Sequence, residues 1–404
     1  MTLTTRVLLG LIAGTLLGLA IAGSTTPLAG STLHLLAVVG GIFVDLIRMT
    51  AMPLVAALVV SSIGATTASG LGRTGVRSTA LAVTLLVVAS AGSMLVALPV
   101  LRSVPTDPAA LVAPSTTAPV AASQPPPLSQ WVRDLVPQNV AKAAADGAML
   151  PVIVFSVLFG LAGARITPLR RDAVLRVVEG VAEAMQQLVS WILQLAPIGV
   201  FALAVPLTSR LGLAAAGAVA TYVALVVALT VLAIALLYPL GMVAGRMSAR
   251  AFASYCAPAQ ALAFASRSSL ATLPAMVQAA ERAGLAPAAS RVVLPLAVSI
   301  FHYGTAVAQT VGVLFLARLS GVTFGPAELA SVVFAVVLAS SAVPGVPGGS
   351  IVAIVPVLTA AGLPLDGIGL LLAVDTVPDM FRTIANVTGA LTLTAATRSE
   401  RPQP

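Results

Sequence analysis

The chain has 404 residues, of which 58 % are hydrophobic and 8 % charged. A soluble domain carries about 25 % charged residues, so a water-facing surface cannot be built from this composition and the bilayer is the natural solvent. The net charge of +8, almost all of it arginine, speaks for membrane topology before nucleic acid, because cytoplasmic loops collect Arg and Lys. A single cysteine, Cys256, excludes an internal disulfide and reads as a small core residue.

Arg6 precedes an apolar run from Val7 to Ala22. That run suits a cleaved signal peptide or a first span with a cytoplasmic Arg. Further apolar stretches fall at 35–69, 79–101, 148–164, 174–208 and 213–243. Their length and lack of breakers predict helices, and about 20 apolar residues suffice to cross a bilayer. Residues 103–130 are rich in Pro, Ser, Thr and Ala and nearly uncharged, the composition of a flexible loop outside the membrane. Four arginine groups set the orientation: Arg73 with Arg77, then Arg165, Arg170, Arg171 and Arg176, then Arg246 with Arg250, then Arg398 with Arg401. All four can be cytoplasmic at once with the Pro-rich loop outside, which places the chain in the cytoplasmic (inner) cell membrane as a multi-pass protein.

Two later segments, 251–281 and 326–361, are each interrupted in the middle, by Ser266–Pro274 and by Ser340–Ser350. Each half holds about 12–15 residues, or ~20 Å of helix, against a hydrocarbon core of ~30 Å. Neither half spans alone, so each segment is expected to be a re-entrant hairpin that turns at mid-depth, where irregular backbone must be buried in protein or line a cavity. The alternative is two kinked spans. Long spans follow at 288–318 and 364–397. This repeated hairpin-plus-helix pattern predicts an inverted-repeat transporter with its site at the repeat interface.

The final span carries Asp375, Asp379, Arg382, Thr383 and Asn386 among apolar residues. With Asp375 at zero, 100° per residue puts Asp379 at about 40°, Arg382 at about 340°, Asn386 at about 20° and Thr383 at about 80°. All five share one face. Charged residues at bilayer depth cost about 2.5–3.5 kcal/mol each on insertion scales and mark a pathway or a site. The alternative is an internal Asp379–Arg382 pair that only staples helices. An arginine fork suits a carboxylate, an Asp suits an ammonium group, and Asn and Thr can hold a second carboxylate. Amides at the hairpin tips add donors for an anion. Together they suit an amino acid with an acidic side chain. His34 attracts no functional reading. No nucleophile–base pair, metal cluster or phosphate loop suggests an enzyme or a cofactor.

Several segments carry a resemblance to a known family. They are Phe43–Met49 with Met52-Pro53-Leu54-Val55, Gly147–Gly160 with Leu150-Pro151-Val152-Ile153, and Ala196-Pro197-Ile198-Gly199-Val200-Phe201. More specific are Arg267-Ser268-Ser269 with Ala271-Thr272-Leu273-Pro274, and Asp379-Met380 with Arg382-Thr383 and Asn386-Val387-Thr388-Gly389. Over nearly its whole length the chain resembles the dicarboxylate/amino acid:cation symporters, the glutamate transporter family. The resemblance implies an all-α integral membrane protein of eight transmembrane helices and two re-entrant hairpins, a retained first span, a homotrimer in lipid, and an elevator motion with the second hairpin as outer gate. It divides the chain into scaffold spans one and two (1–70), a third span of the transport domain (71–102), the outer loop (103–130), scaffold spans four and five (131–210) and the rest of the transport domain (211–404). It also implies roles. Arg382 would bind the side-chain carboxylate of the substrate and Asp379 its amino group. Asn386 would bind the α-carboxylate, with Thr383 and the backbone of Ser268, Ser269, Val346 and Gly348. Thr305 would touch the side-chain end. Dicarboxylate carriers of this family typically lack an Asp at position 379, so its presence favours aspartate or glutamate.

The cation region departs from the family. Its seventh span is broken at Asn-Met-Asp-Gly-Thr, where this chain has Phe301-His302-Tyr303-Gly304-Thr305, and a common further acid of the last span is Ala390 here. Two sodium sites thereby lose side-chain oxygens, and hard cations prefer oxygen ligands. A third sodium site, built from backbone carbonyls near Ser299, Ile300 and Ser340, is expected to survive. His302 invites proton coupling, with Asp375 or Tyr303 as partner and with or without one sodium. The alternative is a neutral, hydrogen-bonded packing residue. The expected function is cation-coupled symport of an acidic amino acid. The alternatives are a C4-dicarboxylate symporter, or an uncoupled channel or sensor on the same fold.

Overall fold

The computed structural model describes residues 3–22, 24, 26–68, 72–103, 133, 136–146, 148–211, 213–285, 293–340, 343 and 349–396. These residues are helical apart from short links, and no strand occurs among them. All of the Pro-rich loop beyond Ser103, together with Arg398 and Arg401, lies outside the described residues.

The N-terminal part holds α1 (Leu3–Ile21), α2 (Pro27–Ala68), α3 (Gly72–Arg102), α4 (Val140–Ala145), α5 (Met149–Gly163), α6 (Pro168–Gln194) and α7 (Ala196–Leu211). Helix α2 packs against α5, α6 and α7, and α1 lies along α7. Gly10, Gly14 and Gly18 form the contact face of α1. A Cβ at Gly10 would meet the Pro197 carbonyl, one at Gly18 the Thr208 hydroxyl, and one at Gly14 would lie 2.8 Å from the Phe201 carbonyl oxygen. Small residues let two backbones close up where lipid offers no hydrophobic drive between helices. The apolar stretch at 174–208 is two helices, bent by 57° between α6 and α7. Pro197 is the cause, since it has no N–H to continue the α6 ladder. The amides of Ile198 and Gly199 turn back instead to the Leu195 carbonyl, each at 3.0 Å. Among the described residues, 3 helices are long and apolar enough to cross a membrane, or up to 4 if the bent pair counts as one span. Large apolar side chains face outward on them, with Leu95 76 % and Val243 78 % exposed, which suits lipid rather than water.

The C-terminal part holds α8 (Leu213–Gly245), α9 (Ala249–Ser266), α10 (Ser269–Arg282), α11 (Leu294–Ile300), α12 (Tyr303–Leu319), α13 (Pro326–Ser340), α14 (Gly349–Val352), α15 (Val355–Ala360), α16 (Ile368–Val374) and α17 (Thr376–Ala396). Helices α8, α9, α10 and α12 all pack on α17. Helices α12 and α17 are buried along almost their whole length and form the centre. The hydroxyls of Ser90 and Thr310, 2.7 Å apart, tie α3 to α12.

Four breaks shape this part. Helices α9 and α10 pack on each other across Arg267-Ser268. Arg267 adopts the left-handed region (φ 53°) and closes α9, and the Ser268 hydroxyl accepts the Ala271 amide to cap α10, a side-chain N-cap. Helix α9 has 18 residues, ~27 Å, longer than expected yet still short of the ~30 Å core. The return of the second segment is split into α14 and α15, because Pro356 in the first turn of α15 cannot donate to the preceding turn. The span expected at 288–318 is divided into α11 and α12 at Phe301-His302. The last span is divided at Asp375, with Pro378 just beyond.

Candidate functional site

The break at Asp375 sets the site. Asp375 ends α16 in a helical turn, and its carbonyl accepts the Asp379 amide at 2.7 Å. The face drawn from a continuous helix therefore survives the break. Arg382 Nη1 and Nη2 donate to Asp375 Oδ1 and Oδ2 at 2.8 and 2.9 Å, a two-pronged pair. Arg382 Nη2 also donates to Asp379 Oδ1 at 2.6 Å. Asp375 and Asp379 are each 4 % exposed and Arg382 2 %. Charges this deep require partners, because the cost of removing an ion from water is several kcal/mol after relaxation. Asp379 Oδ2 is buried and has no partner. With all three groups ionised, the triad of Asp375, Asp379 and Arg382 carries one net negative charge (+1 − 2 = −1).

Asn386 lies one turn beyond Arg382 and works on α12. Its Oδ1 accepts the amides of Gly304 at 2.8 Å and Thr305 at 3.3 Å, and its Nδ2 donates to Thr305 Oγ1 at 3.3 Å. His302 offers no side-chain cap to that helix, so Asn386 supplies the cap from α17. The approach is close because residue 304 is Gly: a Cβ there would strike the Arg382 carbonyl and come within 2.7 Å of Ala385 Cβ. Thr383 returns its hydroxyl to the Asp379 carbonyl at 2.7 Å. Thr305 is fully buried.

At the α9–α10 turn, the Ser268 amide receives the Ser266 hydroxyl oxygen at 3.3 Å and the Ser268 carbonyl accepts Thr272 Oγ1 at 2.8 Å. Ser269 is buried at the start of α10. Val346, Gly348 and the Ser299 side chain lie outside the described residues. So the structure brings together Asp375, Asp379, Arg382, Thr383, Asn386 and Thr305.

The cation region is arranged differently from the expectation. Asp375 pairs with Arg382, not with His302. The Tyr303 ring lies tilted beside that of Phe301, with centroids 6.0 Å apart. His302 Nδ1 lies 2.9 Å from the Ser340 carbonyl oxygen, while its Nε2 is buried without a partner. The Ser340 hydroxyl is likewise unpaired. Ile300 ends α11.

Two contributors escaped sequence reading. Gln309 on α12 donates Nε2 to the Ser350 carbonyl at 3.3 Å. It is a lone amide in an apolar helix, and that was the available signal. Gln260 on α9 donates to Thr388 Oγ1 at 2.8 Å and accepts from Tyr238 at 3.2 Å, fastening α8 and α9 to α17.

Comparison with known proteins is consistent across the chain. It is 29 % identical over 402 residues to the proton/glutamate-aspartate symporter of Escherichia coli (strain K12), covering 96 % of this chain and 90 % of that one. It is 28 % identical over 404 residues to the proton/sodium-glutamate symport protein of Bacillus subtilis (strain 168), with the same coverage of 96 % and 90 %. It is 27 % identical over 388 residues to the C4-dicarboxylate transport protein of Anaeromyxobacter sp. (strain K), covering 95 % and 86 %. Residues 3–399 match the sodium:dicarboxylate symporter family, and the chain belongs to that family of membrane transporters.

Proposed function

We propose that this protein is a secondary symporter that carries an acidic amino acid, aspartate or glutamate, across the cytoplasmic membrane together with protons. One observation carries the reading: the Arg382 guanidinium is buried between Asp375 and Asp379, and Asp379 keeps one carboxylate oxygen unpaired. A substrate carboxylate can exchange with that of Asp375 on the Arg382 fork, since the two groups are chemically alike. The free oxygen of Asp379 and the net negative charge of the triad suit an ammonium group. A C4-dicarboxylate would bring only further negative charge to Asp379. That favours the substrates named for the Escherichia coli relative over those named for the Anaeromyxobacter one. Asn386 and Thr383 stand next along the same face for the α-carboxylate, with backbone of the two hairpin tips at Ser268, Ser269, Val346 and Gly348.

The finer architecture belongs to the same proposal. We read eight spans and two re-entrant hairpins, α9–α10 and α13 with α14–α15, in a homotrimer embedded in lipid. The part from α8 onward, with α3, moves as an elevator against α1, α2 and α4–α7. The arginine-rich links face the cytoplasm.

Uptake by proteoliposomes with separately imposed ion gradients tests the function. Labelled aspartate or glutamate should accumulate under an inward proton gradient in sodium-free buffer. Accumulation that follows only the sodium gradient and ignores pH overturns the proton. Equilibration without accumulation under every gradient overturns symport, leaving a channel or a sensor.

A further inference from the structure

The family description names sodium, and the residues around the Phe301-His302 break can be tested against that ion. Sodium, a hard cation, binds through oxygen lone pairs. Ser340 is the last described residue of α13, and carbonyls toward the end of a helix are the ones left to accept from outside it. They sit at the negative end of the helix dipole, where a cation is stabilised. The Ser340 carbonyl already has an occupant, His302 Nδ1 at 2.9 Å. A carbonyl only accepts, so Nδ1 bears the hydrogen and donates it. His302 is 1 % and Ser340 0 % exposed, so bulk solvent does not reach this contact. The flank is filled as well. Phe301 is buried against Gly389, where an added Cβ would lie 2.6 Å from the ring. Asp375 and Asp379 are paired with Arg382. An N–H thus occupies the Ser340 carbonyl and an aromatic ring fills the flank, and the unpaired Ser340 hydroxyl offers a single neutral oxygen where sodium needs several, so these residues do not fit the ion.

We propose that His302 takes the place of a cation at the end of α13, so that this chain holds no sodium at the Ser340 carbonyl. The imidazole N–H presents the positive end of a bond dipole to the carbonyl, which is what a bound cation would otherwise supply. The protein carries this group permanently, and no dissolved ion sets its occupancy. Gln309 repeats the device seven residues further along α12, giving its amide hydrogen to the Ser350 carbonyl. Segments on both sides of residues 341–348 are therefore held to α12 by side-chain N–H donors. This inference deepens the symport reading and rests on it for the choice of ion, but its test needs no transport.

The test is thermal unfolding of the purified full-length protein without substrate, at one pH and one ionic strength, in sodium chloride and in potassium chloride. An ion that binds the folded state raises its unfolding temperature. The quantity read is the sodium-over-potassium increment for the wild type, His302→Gly and His302→Gln. His302→Gly removes the donor and opens space beside the carbonyl, and its increment should exceed that of the wild type. His302→Gln retains an N–H donor and should match the wild type. Equal increments in wild type and His302→Gly, zero included, overturn the proposal. So does a His302→Gln increment as large as that of His302→Gly. If His302→Gly cannot be recovered folded, His302→Met, which fills the volume without a donor, is read by the same criteria. Aspartate uptake run in parallel keeps the two readings apart, since loss of uptake in the wild type bears on the transport proposal and leaves the ion comparison standing.

Discussion

Asn386 on α17 accepts the Gly304 amide at 2.8 Å, so the helix that carries the Asp379–Arg382 pair also caps the helix that begins at the break. The same side chain is the proposed ligand of the α-carboxylate. Its two duties can be separated. Asn386→Ala should lower stability by about 0.5–2 kcal/mol, the usual cost of a lost cap, and should also abolish aspartate binding. Asn386→Asp keeps an acceptor for the amides of Gly304 and Thr305 but faces an incoming carboxylate with like charge. It should recover part of the stability and none of the binding. Thermal unfolding and isothermal titration with aspartate measure the two. Equal losses of stability in both variants would sink the capping role.

Gly304→Ala is predicted to be severe for a separate reason. The added methyl would strike the Arg382 carbonyl and Ala385 Cβ, and one of these is backbone that cannot move aside cheaply. Overpacking of this kind costs about 1–3 kcal/mol, and here it pushes α12 away from the residue that holds the triad. Aspartate affinity should fall together with the unfolding temperature. A fully active, equally stable Gly304→Ala protein would contradict the observed closeness of α12 and α17.

Much of this site was legible because it lies on one helix. The spacing of Asp379, Arg382, Thr383 and Asn386 needs only 100° per residue to put them on a common face, and burial of that face follows from the apolar residues around it. Partnerships across helices were not legible in the same way. Asp375 was, with Tyr303, one of two partners expected for His302, yet it faces Arg382 two turns away on its own span. That pairing depends on the turn at Asp375 keeping helical dihedrals, which spacing alone does not reveal. His302 to Ser340 joins residues 38 apart, and only the packing of α12 on α13 creates that contact. Helix breaks were legible in kind but not in place. Pro197 and Pro356 each removed a backbone donor, splitting stretches that apolar content alone makes continuous.

Arg382 is where geometry matters more than charge. Three of its hydrogen bonds reach two carboxylates in fixed directions. Arg382→Lys retains the charge and loses the fork. Aspartate binding should be lost to direct titration, while the protein stays folded because the ammonium still neutralises one acid. Arg382→Ala leaves Asp375 and Asp379 buried with no cation between them. Breaking a buried pair in that way costs about 3–5 kcal/mol, so this variant should lose unfolding temperature sharply where Arg382→Lys does not. Similar stability of the two would mean that the acids do not depend on Arg382 in the folded state.

On the proposed reading, Asp379 decides between an amino acid and a dicarboxylate. One of its oxygens is bound to Arg382 and the other is buried without a partner. An unpaired carboxylate oxygen in such a place is a strong acceptor awaiting a donor, and an ammonium group supplies one with opposite charge. Asp379→Ala removes that acceptor and leaves Asp375 as the sole acidic partner of Arg382. The variant should lose aspartate and glutamate binding, because the amino group would be desolvated with nothing to receive it. A C4-dicarboxylate has no amino group and meets less negative charge in the variant, so succinate binding should be retained or strengthened. Competition of succinate and aspartate for a labelled ligand, on wild type and variant, measures the switch. Parallel loss of both ligands would place Asp379 in the support of Arg382 alone and remove the basis for preferring an amino acid.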